Sequence, residues 1–359
     1  MLMKNLRKQF PAHKTQTYLN TAGVGLLSET VFDFKADKNL DLLTLGSEFM
    51  QKHETIYAEV REAVAEFLNG KAQYVTLVPN FSIGFNTLLE ATPQNTNFLL
   101  LKEDYPSVNM PVEARNFTID YVHIQENLEE AIYKAFKIKQ PKVFVFSIVQ
   151  YLNGIKLSQE FIKELKKDFP DTILVADGTQ YCGTEIFAFE NSGIDVLGVS
   201  AYKWLNAGLG AGFFMFKPEV ENFFKPKMLG YGSNLGKYKE QPDCFIGKFE
   251  AGHLDATNIG SLLPAINLIK QTGQENIQLY LEELSGKVKT ALSNLNLLEK
   301  SVVNRKQHST IFNLKGDDAL FKKLMAKNII CSQRGEGIRV SFHHYNTVED
   351  LNKLLEIIT

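Results

Sequence analysis

Cysteine is scarce in this chain. The three that occur, Cys182, Cys244 and Cys331, lie far apart. Neither a disulfide framework nor a zinc spacing can be assembled from them, and no metal is expected. Long apolar runs are also missing: nothing approaches the roughly 18 residues that cross a bilayer. The N-terminus carries Lys4, Arg7 and Lys8 but lacks the apolar stretch and cleavage site of a secretory signal. A cytoplasmic location with no membrane partner is therefore the expectation. Nor is there an excess of charge of one sign. The 39 basic and 41 acidic residues leave a formal charge of −2, so no nucleic acid partner is expected. Small basic clusters, at 166–167 and 225–227, read as solvated surface. No repeat, low-complexity tract or long Pro/Gly linker interrupts the chain.

What is present is a recurring pair of patterns over 359 residues that are 44% apolar and 22% charged. Short β-branched or aromatic runs occupy 74–78, 97–101, 119–123, 143–149, 173–176, 196–200 and 212–216. Their continuous apolar character predicts strands buried on both faces. Helical patterns separate most of them, for instance at 81–89, 128–136 and 158–167. Such alternation predicts an α/β fold with a mainly parallel, seven-stranded sheet covered by helices. The last run follows closely on the sixth through a Gly-rich turn, which allows an antiparallel return.

After about Pro218 the rhythm changes. Residues 230–248, rich in Gly, Lys and Tyr, read as a loop. Two long helices (259–270, 276–295) precede a strand (310–314), a helix (317–325), two short strands (329–332, 338–342) and a final helix (348–358). This predicts a small α+β C-terminal domain. The expected division is an N-terminal segment, 1–45, without strand pattern and packed on the small domain; a large domain, 46–255; and the small domain, 256–359.

Two segments carry chemistry. In Val175-Ala176-Asp177-Gly178-Thr179-Gln180 a buried strand ends in an aspartate. Ligands of open α/β sheets sit beyond the carboxyl ends of strands. In Ser200-Ala201-Tyr202-Lys203-Trp204-Leu205-Asn206-Ala207-Gly208 the next strand runs into a lysine under aromatic cover. Burial there favours the neutral amine. Taken singly, each has a plain reading, as a turn aspartate and a surface lysine. Taken together, they bring an amine and a carboxylate to one edge of the sheet. Pyridoxal 5'-phosphate (PLP) needs an amine for its aldehyde, a carboxylate for its pyridine nitrogen and donors for its phosphate.

With these residues in hand, the sequence resembles the class V aminotransferase family of PLP-dependent enzymes, fold type I. That family includes cysteine desulfurases, phosphoserine and other aminotransferases, epimerase-like members and kynureninases. The resemblance runs from Tyr18-Leu19-Asn20-Thr21-Ala22 to Arg339-Val340-Ser341-Phe342-His343-His344-Tyr345-Asn346-Thr347. It implies roles. Lys203 is the Schiff-base lysine and proton shuttle, and Asp177 pairs with the pyridine nitrogen. Gln180 hydrogen-bonds the phenolic oxygen of PLP. Ser200 and Tyr202 help hold the phosphate, and Phe81 and Ser82 open the helix of the first phosphate-binding turn, where Asn80-Phe81-Ser82 replaces the usual Gly-Thr-Thr. Tyr105 stacks on the cofactor ring. Arg339 grips the substrate α-carboxylate, and Asn20 and Gln150 border the substrate. Ser233 and His253 fall where relatives reach the neighbouring subunit's phosphate, although Gly252-His253 stands in place of the usual Gly-Thr. A homodimer is implied as well.

The resemblance leaves the reaction open. Cys331 lies close before Arg339, inside an expected strand, rather than on a mobile loop where a desulfurase keeps its cysteine. Local motifs (Val149-Gln150-Tyr151, Tyr202-Lys203-Trp204-Leu205-Asn206-Ala207-Gly208) look like kynureninase and its epimerase-like relatives. Amino-group transfer on an amino acid substrate is the leading expectation. A Cβ- or Cγ-cleaving lyase or hydrolase, including a cystine- or selenocysteine-type lyase that dispenses with the cysteine, is the alternative. A non-catalytic PLP-fold binding protein is the rival of another class.

Overall fold

A computed structural model describes residues 2–234 and 244–359. Its strands are β1 (Thr17–Tyr18), β2 (Val75–Val78), β3 (Asn97–Leu101), β4 (Thr118–Val122), β5 (Val143–Ser147), β6 (Ile173–Asp177), β7 (Val196–Ser200), β8 (Gly212–Phe216), β9 (Ile311–Lys315), β10 (Ile329–Ile330), β11 (Ser332–Arg334) and β12 (Gly337–Ser341). Seven of them form one sheet in the order β2-β8-β7-β6-β5-β3-β4. Neighbours from β7 to β4 pair parallel. β8 pairs antiparallel with both β7 and β2, so it alone runs against the rest. The expected seven-stranded, mainly parallel sheet is thus present, and the last run does return antiparallel.

The continuous apolar strands are explained by two cores. Leu99, Phe144, Leu174 and Leu197 face one helical layer. Leu100, Val145, Val175 and Val196, their neighbours in sequence, face the other. Alternation puts successive side chains on opposite faces, so a sheet covered on both sides needs apolar residues throughout. Asp177 and Ser147 end the series Ile173, Val175 and Val143, Val145. They therefore break the apolar pattern on one face, at the carboxyl edge.

The C-terminal elements form a three-stranded antiparallel sheet, β11-β12-β9, and β10 pairs with β1. Two sequence readings need correction here. The first 45 residues do hold a strand, β1, parallel to β10; two residues are too few to show a period. The run at 329–332 is not one strand, because it breaks at Cys331 and its halves pair with different partners. Within the stretch expected as loop, Tyr231–Asn234 and Ile246–Phe249 are helical turns; 235–243 lie outside the described residues. Among the described residues no helix is long and apolar enough to cross a membrane.

The N-terminal segment is bound to the C-terminal elements by polar and aromatic contacts. Arg7 pairs with the buried Asp350 at 2.7 Å. Phe10 and His13 pack on Tyr345, with ring centroids at 4.9 and 5.1 Å. The His343 and His344 rings lie 3.8 Å apart. Burial holds His343 well below the ordinary imidazole range and pushes His344 down to about 3 and His13 to about 4. The folded chain therefore keeps three neutral imidazoles that an unfolded chain protonates near 6.5. Their contribution is complete above that pH and is lost as pH falls below it. At pH 5 the loss for His344 alone is about 2 kcal/mol. Thermal unfolding followed by circular dichroism should show a midpoint that drops steadily from pH 7 to pH 5. A midpoint constant over that range contradicts the burial of neutral histidines.

Candidate active site

Asp177 ends β6, and its neighbour across the ladder is Gly198 on β7. The chain leaves β7 at Ser200, and Lys203 follows on the turn towards β8. A strap from the N-terminal segment closes over this turn. The Gly25 N–H donates to the Tyr202 carbonyl at 2.9 Å. A Cβ on Gly25 would stand 2.0 Å from the Lys203 carbonyl oxygen, so only glycine permits the approach. Lys203 is 5% exposed. Its Nζ lies 5.3 Å from the Tyr105 ring centroid and 5.6 Å from that of Tyr202. Burial lowers its amine to about 8, opposed by Asp177 and aided by Arg339 and Arg334.

Asp177 is held by a short relay. Its Oδ1 accepts from the Thr179 N–H at 2.8 Å. Thr179 Oγ1 accepts from the Ser200 N–H at 2.9 Å, and Ser200 Oγ accepts from the Phe81 N–H at 2.8 Å. One chain of bonds thus links the ends of β6 and β7 to the start of the helix Phe81–Glu90. Burial pushes the Asp177 carboxyl above the carboxylate range, while Thr179 and Lys203 pull it back. The helix is capped by Asn80, whose side chain accepts from the Ile83 N–H at 3.0 Å; Ser82 is not the cap. The Phe81 ring lies in the core against Phe85 and Phe214. Tyr202 is pushed up to about 12, chiefly by burial.

Tyr105 is fixed by its neighbour. Asp104 accepts from the Tyr105 N–H and, across from β5, from the Ser147 N–H, both at 2.7 Å. Burial raises the Asp104 carboxyl to about 6. The Tyr105 ring meets Tyr151 edge-on at 5.2 Å. The Tyr151 carbonyl accepts from Arg339 at 2.8 Å. Arg339 is 2% exposed, yet no carboxylate among the described residues pairs with it, and its Nε has no partner. Asn20 Oδ1 is likewise buried without a partner.

A cavity of about 580 Å³ joins most of these groups. Phe81, Ser82, Tyr105, Asp177, Thr179, Ser200, Tyr202 and Lys203 line it, with Gly23 and Val24 of the strap. The remaining sequence-derived residues stand differently. Gln180 faces away, donating to the Ala22 carbonyl at 3.0 Å and accepting from Trp204 Nε1 at 2.7 Å. One amide proton is left to it. Gln150 donates to the Glu103 carbonyl and accepts from the Leu152 N–H, so its amide supports the loop that carries Tyr151. Ser233 exchanges its bonds with Gly230 in its own turn, and His253 is exposed against Tyr231. No cysteine lines the cavity. Cys182 and Cys331 are buried, and burial pushes both thiols up, Cys331 to about 11.

Thr179, Asp104 and Gly25 escaped sequence reasoning. Thr179 had a signal: a hydroxyl two residues after a strand-end aspartate favours an Asx-type turn. Asp104 had none, because its partner, Ser147, is distant in sequence.

The donor set fits PLP. A buried amine without a carboxylate ion pair, a buried carboxyl anchored by Thr179, and a helix N-terminus with hydroxyls share one cavity. The Arg339 guanidinium, which no carboxylate among the described residues pairs with, supplies a carboxylate grip beside it.

The model of one family, described as aminotransferase class-V, matches residues 33–354. A probable cysteine desulfurase of Mycoplasma genitalium is 27% identical over 350 residues, 87% of this chain and 82% of that protein. Among solved structures, a mutant of C-DES with glycine covalently linked to its PLP cofactor superposes with a TM-score of 0.88 at 19% identity, covering 98% of each chain. The cystine C–S lyase C-DES in complex with its product cysteine persulfide gives the same TM-score and identity over 97% of this chain and 99% of that one. These likenesses in structure show the fold.

The reactivity of Lys203 should follow its lowered pKa. Labelling of the PLP-free chain with trinitrobenzenesulfonate, mapped to the Lys203 peptide, should be half-maximal near pH 8. Asp177→Asn should move that midpoint lower, since the carboxylate favours the ammonium. A midpoint near the ordinary 10.5 in both proteins would contradict the electrostatic account.

Proposed function

The chain belongs to the aminotransferase class-V family, and on that footing we propose that it is a PLP-dependent lyase that breaks the carbon–sulfur bond of an amino acid without a cysteine of its own as sulfur acceptor. One observation carries the reading: Lys203 and Asp177 share a cavity that no thiol lines. The M. genitalium relative is called a desulfurase, and the C-DES structures belong to a cystine lyase. With Cys182 and Cys331 buried and Cys244 half-buried outside the cavity lining, the second comparison suits this chain better. The leading expectation of amino-group transfer gives way to the carbon–sulfur chemistry named in these relatives.

PLP would be held by Lys203 at its aldehyde, by Asp177 at its ring nitrogen, and by Ser82, Ser200 and Tyr202 at its phosphate. When bound, it supplies a sink for the electron pair left at the substrate Cα. The protein's residues do the rest. Arg339 binds the α-carboxylate in two parallel hydrogen bonds. Lys203 Nζ, with its pKa near 8, suits both taking the Cα proton and returning it near neutral pH. The Cβ–S bond breaks with its electron pair on sulfur, and the leaving group receives a proton from Lys203 or from the Tyr202 hydroxyl, which stays protonated at neutral pH. With cystine and water the balance is pyruvate, ammonia and cysteine persulfide. Tyr105, fixed by Asp104, covers the site and keeps water from it.

A second copy of the chain completes the reading. Val24, Ile83 and Leu209 line the cavity yet are 44%, 52% and 64% exposed, so the rim is apolar and open in a single chain. A dimer partner covers such a rim at low cost. His253 is free to serve the partner's site, whereas the Ser233 hydroxyl is engaged in its own turn.

The assay uses PLP-loaded protein and cystine without added keto acid. Pyruvate and persulfide should form over many turnovers, and Cys182→Ser with Cys331→Ser should retain at least half the rate. Product that appears only with a keto-acid acceptor would make the protein a transaminase. Loss of turnover in the stable double variant would restore a cysteine relay. For the dimer, Leu209→Asp should halve the mass seen by sedimentation at micromolar concentration; an unchanged mass overturns that assignment of the rim.

A further inference from the structure

The hairpin that carries Arg339 holds a second guanidinium. β11 and β12 pair antiparallel, with Ser332 opposite Arg339 and Arg334 opposite Gly337. Residues opposite each other, and residues two apart on one strand, share a face of a sheet. Ser332, Arg334 and Arg339 therefore project from the same face. Gly337 has no side chain to cover Arg334. The turn also lies against the loop that carries Tyr151: a Cβ on Gly335 would lie 3.6 Å from a methyl of Leu152, the residue after the Tyr151 whose carbonyl Arg339 holds.

That face is rich in unmet donors. Arg339 Nε and Ser332 Oγ are buried without partners. Arg334 is exposed, its NH1 donating only to the Gln333 carbonyl at 2.9 Å. Neither arginine forms an ion pair with a carboxylate among the described residues, Glu336 in the same turn included. Both positive charges are felt at the Lys203 amine. Two guanidinium groups on one face, with no protein anion between them, ask for two anionic groups on the ligand.

We propose that Arg334 is a specificity-determining residue that binds a second carboxylate, so that the substrate is an amino acid with a carboxylate at each end. The proposal rests on the lyase reading above and narrows it. Diagonal positions on a hairpin lie about 7–8 Å apart at the backbone, and the long arms of arginine bring their heads within reach of both ends of one small molecule. A disulfide- or thioether-linked pair of amino acids meets this description; cysteine itself does not.

Two arms test it. In turnover, PLP-loaded wild type and Arg334→Gln are compared with cystine and with S-methylcysteine, which has a single carboxylate. Arg334→Gln should raise KM for cystine at least tenfold, leave kcat within about twofold, and leave both constants for S-methylcysteine unchanged. In binding, glutarate and butyrate are titrated against each protein by the fluorescence of Trp204, the single tryptophan. Wild type should prefer glutarate at least tenfold, and Arg334→Gln should bind the two alike. Arg334→Lys should recover part of the preference. Equal affinity for glutarate and butyrate in wild type, or parallel losses on both substrates in Arg334→Gln, overturns the proposal. A glutarate preference without any carbon–sulfur cleavage overturns the lyase reading and leaves the second carboxylate site standing.

Discussion

An amine and a carboxyl, both removed from water at one edge of a sheet, govern this structure. Burial alone drives each towards its neutral form. Lys203 falls to about 8, and Asp177 rises above the carboxylate range. Each opposes the shift of the other, since the ammonium favours the carboxylate and the reverse. Desolvation outweighs the mutual attraction at both groups, and the attraction limits each shift. Nearby, burial raises the Asp104 carboxyl to about 6, with a smaller push in the same direction from Asp177.

The rest of the fold maintains that arrangement. Parallel strands with two apolar faces bring β6 and β7 to a common edge, and the sequence changes from apolar to ionisable only there. The Thr179–Ser200–Phe81 relay fixes the edge to a helix start. The strap through Gly25 closes over Lys203 and ties the N-terminal segment to the catalytic turn. The β11–β12 hairpin brings the Arg339 guanidinium to the Tyr151 carbonyl, beside the Tyr105 that lines the cavity. A site built from several separate stretches of chain gives selectivity to the loops and the hairpin, while the sheet keeps the amine and the carboxyl in register.

Much of this was legible in the sequence because its signals are local. Seven apolar runs gave seven strands, within a residue or two at most ends, because a strand buried on both faces has little freedom of composition. Asp177 and Lys203 stood out because charge is rare at such positions. What escaped depends on long-range contacts. β1 is two residues long and exists only as the partner of β10, which was read as part of one longer strand. Asp104 takes its meaning from Ser147, and the strap from its fit against Lys203. Gln150 and Gln180 were read as ligand contacts from motif likeness; Gln150 bonds to the backbone at Glu103 and Leu152, and Gln180 to the Ala22 carbonyl and the Trp204 ring. Motif position pointed to the neighbourhood; the hydrogen-bond inventory shows which atoms remain free.

The central claim is that Lys203 is the amine that holds the cofactor. Borohydride reduction of the PLP-loaded protein, followed by digestion and mass mapping, tests it directly. The account predicts one phosphopyridoxyl group per chain, on the peptide that contains Lys203, and none in Lys203→Ala. A stoichiometric group on another lysine, or no fixed cofactor in a folded protein saturated with PLP, would contradict it.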